Sequence, residues 1–243
     1  MQSFDKLRTN GIEGDPDERI PPGWRRASEA AWLFSRAWHG VGHLGPRGPE
    51  DGPPALVIPG FIASDRTVME LRRALADAGW RVHPWECGWN MGARADTIEK
   101  LAKRLDEISP DKPVLVVGWS LGGVFAREVA RAHPDRVSAV VTLGSPFSGD
   151  PHLNNVWRLY EWVAGHPVDA PPIERITDKP PVPTLAIWSR ADGIVSPRAA
   201  KGLAEESDKT VEFKCNHMAF GVSRSTARAV VQEIDTFLKS VAG

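Results

Sequence analysis

Ser120 is the residue of this chain whose sequence setting is most typical of catalysis. It stands at the centre of a Gly-x-Ser-x-Gly pattern whose glycines are Gly118 and Gly122. Glycine at these positions removes the Cβ atoms that would collide where two backbone segments close on each other. A serine presented on such a strained turn can attack a carbonyl carbon. Because the pattern is short enough to arise by chance, its surroundings must decide the interpretation.

The segments on either side of Ser120 supply the setting that such a nucleophile needs. Residues 114–117 are a run of apolar, mostly β-branched side chains, which is typical of a buried strand. Residues 124–133 carry apolar side chains at helical spacing. Strand, sharp turn and helix together make a nucleophile elbow. The sequence therefore favours a nucleophilic serine over a chance match in a loop.

A serine hydroxyl is a weak nucleophile until a neighbouring base removes its proton. Histidine suits this task because its pKa lies close to neutrality. Three of the seven histidines follow Ser120 at a useful distance in the chain, namely His152, His166 and His217. On residue type alone, all three are candidates for the base.

Predicted strands and helices alternate through most of the chain, which indicates an α/β fold with a mostly parallel central sheet and helices on both faces. The carboxyl ends of parallel strands meet at one edge of the sheet, where ligand sites lie. The predicted strands cover residues 55–61 with a terminal glycine turn, 80–86, 114–117, 137–143, 184–188 and 210–214. The predicted helices cover residues 66–78, 97–108, 124–133 and 227–238.

Several motifs follow one another in an order that resembles the α/β-hydrolase superfamily, in particular its bacterial lipase and esterase branch. The resemblance runs from about residue 54 to the end of the chain and implies the α/β-hydrolase fold with a short cap insertion. The motifs that carry it are Pro59-Gly60-Phe61, Gly118-Trp-Ser-Leu-Gly-Gly123, Gly144-Ser-Pro-Phe147, Asp192-Gly-Ile-Val195 and His217.

The resemblance implies which residues complete a catalytic triad. In the superfamily the acid and then the base follow the serine, so His217 becomes the expected base and Asp192 the expected acid. The alternative for His217 is an ordinary surface histidine, and Asp192-Gly193 also suits a simple turn. Asp150 is the competing acid, because some lipases place the acid after the preceding strand.

The resemblance also implies an oxyanion hole made of two backbone N–H groups. One belongs to Leu121, directly after the nucleophile, and the other to Phe61, after the first core strand. Pro59 stands where lipases commonly have histidine, and this change leaves the backbone donor available. Gly60 is equally consistent with a tight turn that has no further role.

A long stretch rich in aromatic residues and proline interrupts the alternation over about residues 149–183. The superfamily inserts its cap at this point, so Trp157 and Tyr160 are expected to line the substrate pocket with Trp119 and Phe147. The cap has two interpretations, a fixed wall of the pocket or a mobile lid that opens at lipid. Both predict an apolar acyl pocket.

The predicted organisation is an N-terminal arm with an amphipathic helix over residues 1–53, followed by a hydrolase domain over residues 54–243. The helix over residues 24–38 is expected either to pack on the core or to lie on lipid, which would give peripheral membrane contact. The sequence has no run of 18 apolar residues and no apolar secretory signal, so we expect a cytoplasmic protein.

The net charge of −1 gives no electrostatic footprint for nucleic acid. We expect no metal, because His39 and His43 have no third ligand in pattern, and no cofactor. The favoured hypothesis is a serine hydrolase that cleaves carboxylic esters, with a small-molecule or lipid ester as its partner. The alternatives are an acyltransferase or thioesterase with the same acyl-enzyme and, less favoured because the Ser, Asp and His set is complete, a non-catalytic binding protein. The sequence does not indicate an oligomeric state.

Overall fold

Six parallel strands form the centre of the protein. The computed structural model describes residues 20–22, 45–150, 160–161, 164–165, 167, 170, 172 and 176–242. The strands are β1 (Pro54–Ile58), β2 (Arg81–Pro84), β3 (Val114–Trp119), β4 (Val137–Leu143), β5 (Thr184–Trp188) and β6 (Lys209–Glu212). Their order in the sheet is β2-β1-β3-β4-β5-β6, and every pairing between these strands is parallel. The predicted α/β class with a parallel sheet is confirmed.

Helices cover both faces of this sheet. They are α1 (Met69–Asp77), α2 (Thr97–Ile108), α3 (Leu121–Ala132), α4 (Pro197–Lys201), α5 (His217–Val222) and α6 (Arg224–Val241). The prediction from sequence did not include α4 and α5, because helices of five and six residues are too short to show a helical repeat. Within the described ranges, no helix has both the length and the apolar character needed to cross a bilayer.

Alternate side chains of each strand enter two separate hydrophobic layers. In β3, Leu115 and Val117 pack in the layer that includes α1 and α6. Val114 and Val116 pack in the opposite layer with α2 and α3. All four side chains are fully buried. A strand buried on both faces is a continuous apolar run, and this is why residues 114–117 were recognisable in the sequence.

Several predictions fall outside the described residues. These are the amphipathic helix over residues 24–38, most of the cap including Trp157, and the histidines His39, His43, His152 and His166. Tyr160 and Glu161, within the cap segment, are helical. The division into an N-terminal arm and a hydrolase domain therefore stays a prediction.

Candidate active site

Ser120 links β3 to α3 in a strained backbone conformation. Its φ of 54° and ψ of −125° lie outside the regions that a residue with a Cβ normally adopts. Such a conformation costs on the order of 1–3 kcal/mol and persists only where the surroundings enforce it. The Ser120 N–H donates a 2.9 Å hydrogen bond to the carbonyl of Leu143, at the end of β4. The serine is therefore fixed at the carboxyl edge of the sheet, where it is half-buried.

The glycines of the motif let the strand and helix approach each other closely. A Cβ on Gly118 would overlap the backbone of Gly122 and Gly123. A Cβ on Gly122 would overlap the carbonyl of Ile58, at the end of β1. The Gly-x-Ser-x-Gly spacing is thus required by the contact between β3, α3 and β1.

Asp192 and His217 form a buried pair at the same edge of the sheet. Asp192 lies in the loop after β5, and His217 is the first residue of α5, which follows the neighbouring strand β6. The distance from His217 Nδ1 to Asp192 Oδ2 is 2.7 Å. Only 1% of Asp192 and 3% of His217 are exposed. With the carboxylate ionised, Nδ1 carries the proton and Nε2 is left as an acceptor.

The second carboxylate oxygen of Asp192 holds its own loop. Asp192 Oδ1 accepts hydrogen bonds of 2.7 Å from Ile194 N–H and 2.8 Å from Val195 N–H. The two oxygens thus have different partners, backbone for one and imidazole for the other. This arrangement fixes the direction in which the carboxylate faces His217. Asp150, the competing acid, is exposed.

The helix α5 determines where the His217 backbone lies. Asn216 caps this helix, because its Oδ1 accepts a 2.9 Å hydrogen bond from Ala219 N–H. Trp119 Nε1 also donates a 3.2 Å hydrogen bond to the His217 carbonyl. Asparagine at an N-cap is a signal that a sequence can show, whereas the contact between Trp119 and His217 leaves no local trace.

Gly144 lies between the residue that binds the Ser120 backbone and the Asp192–His217 pair. It follows Leu143, which accepts the Ser120 N–H. A Cβ on Gly144 would lie 3.0 Å from Asp192 Oδ2 and 3.2 Å from His217 Nδ1. Among the described residues Ser120 Oγ makes no hydrogen bond to His217, and such catalytic contacts are often long until substrate binds.

The two expected oxyanion donors lie beside Ser120. Leu121 N–H is the first of α3, and amides at a helix start have no partner within the helix. Phe61 follows Gly60, where an added Cβ would lie 3.0 Å from Ser120 Cβ. Neither the Phe61 nor the Leu121 N–H donates a hydrogen bond within the part of the chain that the structure describes. Both are available to an acceptor near Ser120.

The residues expected to line the substrate pocket occupy different surroundings. Tyr160 lies against the Phe61 ring, with a centroid distance of 5.2 Å, and its hydroxyl accepts a 3.2 Å hydrogen bond from Ala93 N–H. Burial raises the pKa of the Tyr160 hydroxyl. Trp119 is 3% exposed and lies in the core beside His217, with ring centroids 5.6 Å apart. Phe147 is buried under the Arg127 guanidinium, 4.1 Å from its ring centroid.

The prediction from sequence did not include one buried polar residue near the site. Asn90 is 1% exposed and lies in the loop after β2, where its side-chain amide donates a 2.8 Å hydrogen bond to the Pro59 carbonyl. An asparagine among glycines is typical of a turn, so nothing local distinguishes this one. In the described ranges, no group of three or more His, Cys, Asp or Glu side chains could hold a metal ion.

Comparison with known proteins gives a partial match in sequence. The family model for the alpha/beta hydrolase fold matches residues 53–166. A protein of Citrobacter koseri named pimeloyl-[acyl-carrier protein] methyl ester esterase is 47% identical over 58 residues, which is 24% of this chain and 22% of that protein. The chain thus matches about a fifth of the length of this curated relative.

The likeness to solved structures covers most of the chain. A carboxylesterase from Bacillus subtilis superposes with a TM-score of 0.55 at 16% identity, over 79% of this chain and 86% of that one. A monoacylglycerol lipase from Paleococcus ferrophilus gives 0.54 at 17% identity, over 79% of this chain and 98% of that one. At such identities the likeness concerns the fold.

Proposed function

We propose that this chain is a serine hydrolase of the α/β-hydrolase superfamily, whose family model matches residues 53–166, and that it cleaves carboxylic esters through an acyl-enzyme on Ser120. One observation carries the proposal. A serine in a strained elbow, with φ of 54°, shares a sheet edge with a buried Asp192–His217 pair whose atoms are 2.7 Å apart. Such a set is costly to maintain for packing alone, because it combines backbone strain with buried polar groups.

Acylation begins when Ser120 Oγ attacks the ester carbonyl carbon. His217 Nε2 takes the hydroxyl proton and becomes an imidazolium, which Asp192 Oδ2 stabilises through the Nδ1–H. The same proton then passes to the leaving alcohol oxygen as the carbon–oxygen bond breaks. The product of this half-reaction is an acyl ester on Ser120 and a free alcohol.

The tetrahedral intermediate carries a negative oxygen, which needs fixed donors. The Phe61 and Leu121 N–H groups would supply them from two sides of Ser120. One donor of this kind is typically worth about 3 kcal/mol in the transition state. Water activated by His217 then attacks the acyl-enzyme, and the acid leaves.

The rings of Phe61 and Tyr160 support an ester with an apolar acyl group as substrate. The two ring centroids are 5.2 Å apart, and Phe61 directly follows Gly60, where an added Cβ would lie 3.0 Å from Ser120 Cβ. Each methylene buried among such side chains adds about 0.8 kcal/mol to binding. The Citrobacter koseri relative is, by its name, a methyl ester esterase, which agrees in reaction class. We therefore propose that the partner is a small-molecule or lipid ester.

Labelling with a fluorophosphonate probe tests this proposal. We expect one adduct, located on Ser120 by peptide mass spectrometry, and hydrolysis of p-nitrophenyl esters that is faster with medium acyl chains than with acetate. Ser120→Ala should lose the label and keep only the residual ~10³–10⁴-fold catalysis over water. Ser138→Ala, at an exposed position of β4, is the control and should keep both the labelling by the probe and the ester hydrolysis. An adduct on another residue of active protein would contradict the assignment.

The fate of the acyl group tests whether water is the acceptor. We expect free acid as the main product when an alcohol or coenzyme A is added to the reaction. A transferred ester or thioester as main product would instead assign the chain to the acyltransferases, with the same roles for Ser120 and His217.

A further inference from the structure

We propose that Asn90 is a positioning residue, which fixes the backbone that carries the Phe61 N–H and so keeps the oxyanion hole formed. This inference rests on the function proposed above. The oxyanion loop is defined here as residues 59–65 and the bracing loop as residues 85–93. Asn90 lies in the bracing loop, 31 positions after Pro59 in the chain.

The Asn90 side chain holds the start of the oxyanion loop. Its Nδ2 donates a 2.8 Å hydrogen bond to the Pro59 carbonyl, and its Oδ1 accepts a 3.3 Å hydrogen bond from Gly92 N–H. Only 1% of the residue is exposed, so both hydrogen bonds are shielded from bulk water. The Pro59 carbonyl orients the Pro59–Gly60 peptide, directly before the peptide that carries the Phe61 N–H.

The Asn90 main chain holds the other side of the same donor. Its carbonyl accepts a 2.8 Å hydrogen bond from Ile62 N–H, and its N–H donates a 2.8 Å hydrogen bond to the Ala63 carbonyl. Ile62 has a φ of 52°, which is a genuine outlier for a β-branched residue and requires enforcement by its surroundings. Asn90 therefore secures the chain on both sides of Phe61.

A second connection keeps the two loops together independently of Asn90. The Asp65 carboxylate accepts hydrogen bonds of 2.9 Å from Trp85 N–H and 3.2 Å from Glu86 N–H. Because this connection remains when the Asn90 side chain changes, the oxyanion loop should stay attached. What the variant loses is the fixed orientation of the Pro59–Gly60 peptide and, with it, the direction of the Phe61 N–H.

The side chain of Asn90 can be tested without changing its volume. Asn90→Asp replaces the Nδ2 donor with an oxygen that faces the Pro59 carbonyl, and Asn90→Ala removes both partners. Ser109→Ala is the control, because Ser109 Oγ accepts a 3.2 Å hydrogen bond from Lys112 N–H in a loop at the opposite end of the strands. Thermal unfolding of each variant shows whether the fold is kept.

Two inhibitors separate oxyanion stabilisation from simple binding. An alkyl trifluoromethyl ketone takes Ser120 Oγ onto its carbonyl carbon, and its carbonyl oxygen becomes an oxyanion as His217 takes the serine proton. The corresponding secondary alcohol has the same alkyl chain and forms no oxyanion. If Asn90 serves packing, its substitution should lower the affinity for both inhibitors. If it serves the oxyanion hole, only the affinity for the ketone should fall.

We expect Asn90→Asp to lower both the affinity for the ketone and kcat by about 10²–10³-fold, as loss of one oxyanion donor does. The affinity for the alcohol and the KM should change by less than about threefold, and Ser109→Ala should change none of these quantities. Unchanged ketone affinity in Asn90→Asp, an equal loss for both inhibitors, or unfolding of both Asn90 variants would overturn the role of Asn90.

The wild-type protein distinguishes this inference from the function on which it rests. Wild-type protein that hydrolyses esters and binds the ketone, beside an Asn90→Asp variant that binds the ketone equally well, overturns only the role of Asn90. Wild-type protein that neither hydrolyses esters nor takes the ketone onto Ser120 overturns the proposed function, and the role of Asn90 with it.

Discussion

The indole N–H of Trp119 donates a 3.2 Å hydrogen bond to the carbonyl oxygen of His217. Trp119 directly precedes Ser120, so the last residue of β3 holds the backbone of the proposed base while the next residue is the proposed nucleophile. The two rings also lie 5.6 Å apart. One buried side chain thus links the end of β3 to the start of α5.

Trp119→Phe removes this donor and keeps most of the ring. The His217 carbonyl then loses a buried partner, which costs about 1–3 kcal/mol, and the base is held less firmly. Since a 1 Å misplacement can cost about 10²-fold in rate, we expect kcat for a p-nitrophenyl ester to fall by roughly tenfold. Trp80→Phe, at the opposite end of the sheet, should keep kcat. Equal kcat in both variants would show that Trp119 serves packing alone.

Asp192→Asn keeps the shape of the acid but presents an N–H to His217 Nδ1, because the amide oxygen is needed to accept from the Ile194 and Val195 N–H groups. The imidazole then adopts the wrong tautomer, and by analogy with serine proteases kcat should fall by about 10⁴-fold. Asp150→Asn, at an exposed position after β4, should cost much less. Steady-state kinetics of both variants show which aspartate is the acid. An inactive Asp150→Asn beside an active Asp192→Asn would assign that role to Asp150.

Gly144→Ala should disturb the Asp192–His217 pair directly. The new Cβ would lie 3.0 Å from Asp192 Oδ2 and 3.2 Å from His217 Nδ1, so one of them must move. We expect kcat to fall by about 10²-fold. Gly79→Ala is the matched control, because Gly79 also has positive φ (+95°) but no atom within 4 Å of the added Cβ. If both variants lose only thermal stability, the contact at Gly144 has no part in activity.

His83→Gln should make the protein less sensitive to acid. Burial, and then the charges of Arg104, Arg81 and Arg72, lower the pKa of His83 from 6.5 to about 4. Because the folded pKa lies below the unfolded one, the unfolded chain takes up a proton first as pH falls below 6.5. Between these values stability is lost, by about 2 kcal/mol at pH 5.

Urea unfolding near neutral pH and at about pH 5 measures this effect. The wild-type protein should lose more free energy of unfolding between the two conditions than His83→Gln does. His133→Gln, outside the sheet, serves as the control and should keep the wild-type sensitivity. The same loss in His83→Gln as in wild type would show that another group is responsible.

The arrangement of strands and helices was largely visible in the sequence. Buried parallel strands leave continuous apolar runs, and the run at residues 114–117 indicated β3 for this reason. The helix predicted over residues 97–108 coincides with α2, because its apolar residues repeat over three turns. The helices α4 and α5 were missed, since one or two turns held by tertiary contacts give no repeat.

The setting of the Gly-x-Ser-x-Gly motif selected Ser120, and the resemblance to the α/β-hydrolase superfamily implied Asp192 and His217. Each of the three follows a strand, and the carboxyl ends of parallel strands meet at one edge of the sheet. The order of residues along the chain did not exclude Asp150 as the acid, or His152 and His166 as the base. The 2.7 Å contact between Asp192, in the loop after β5, and His217, at the start of α5, becomes visible only in the folded chain.

Two of the contacts that support these residues come from tertiary structure alone. Asn90 contacts Pro59 across 31 positions of the chain, and Trp119 contacts His217 across 98. A local pattern arises when neighbours in sequence share one face of a strand or helix. Single hydrogen bonds between distant loops follow no period, so the residues that hold the candidate site in place become visible only when the sheet has brought those loops together.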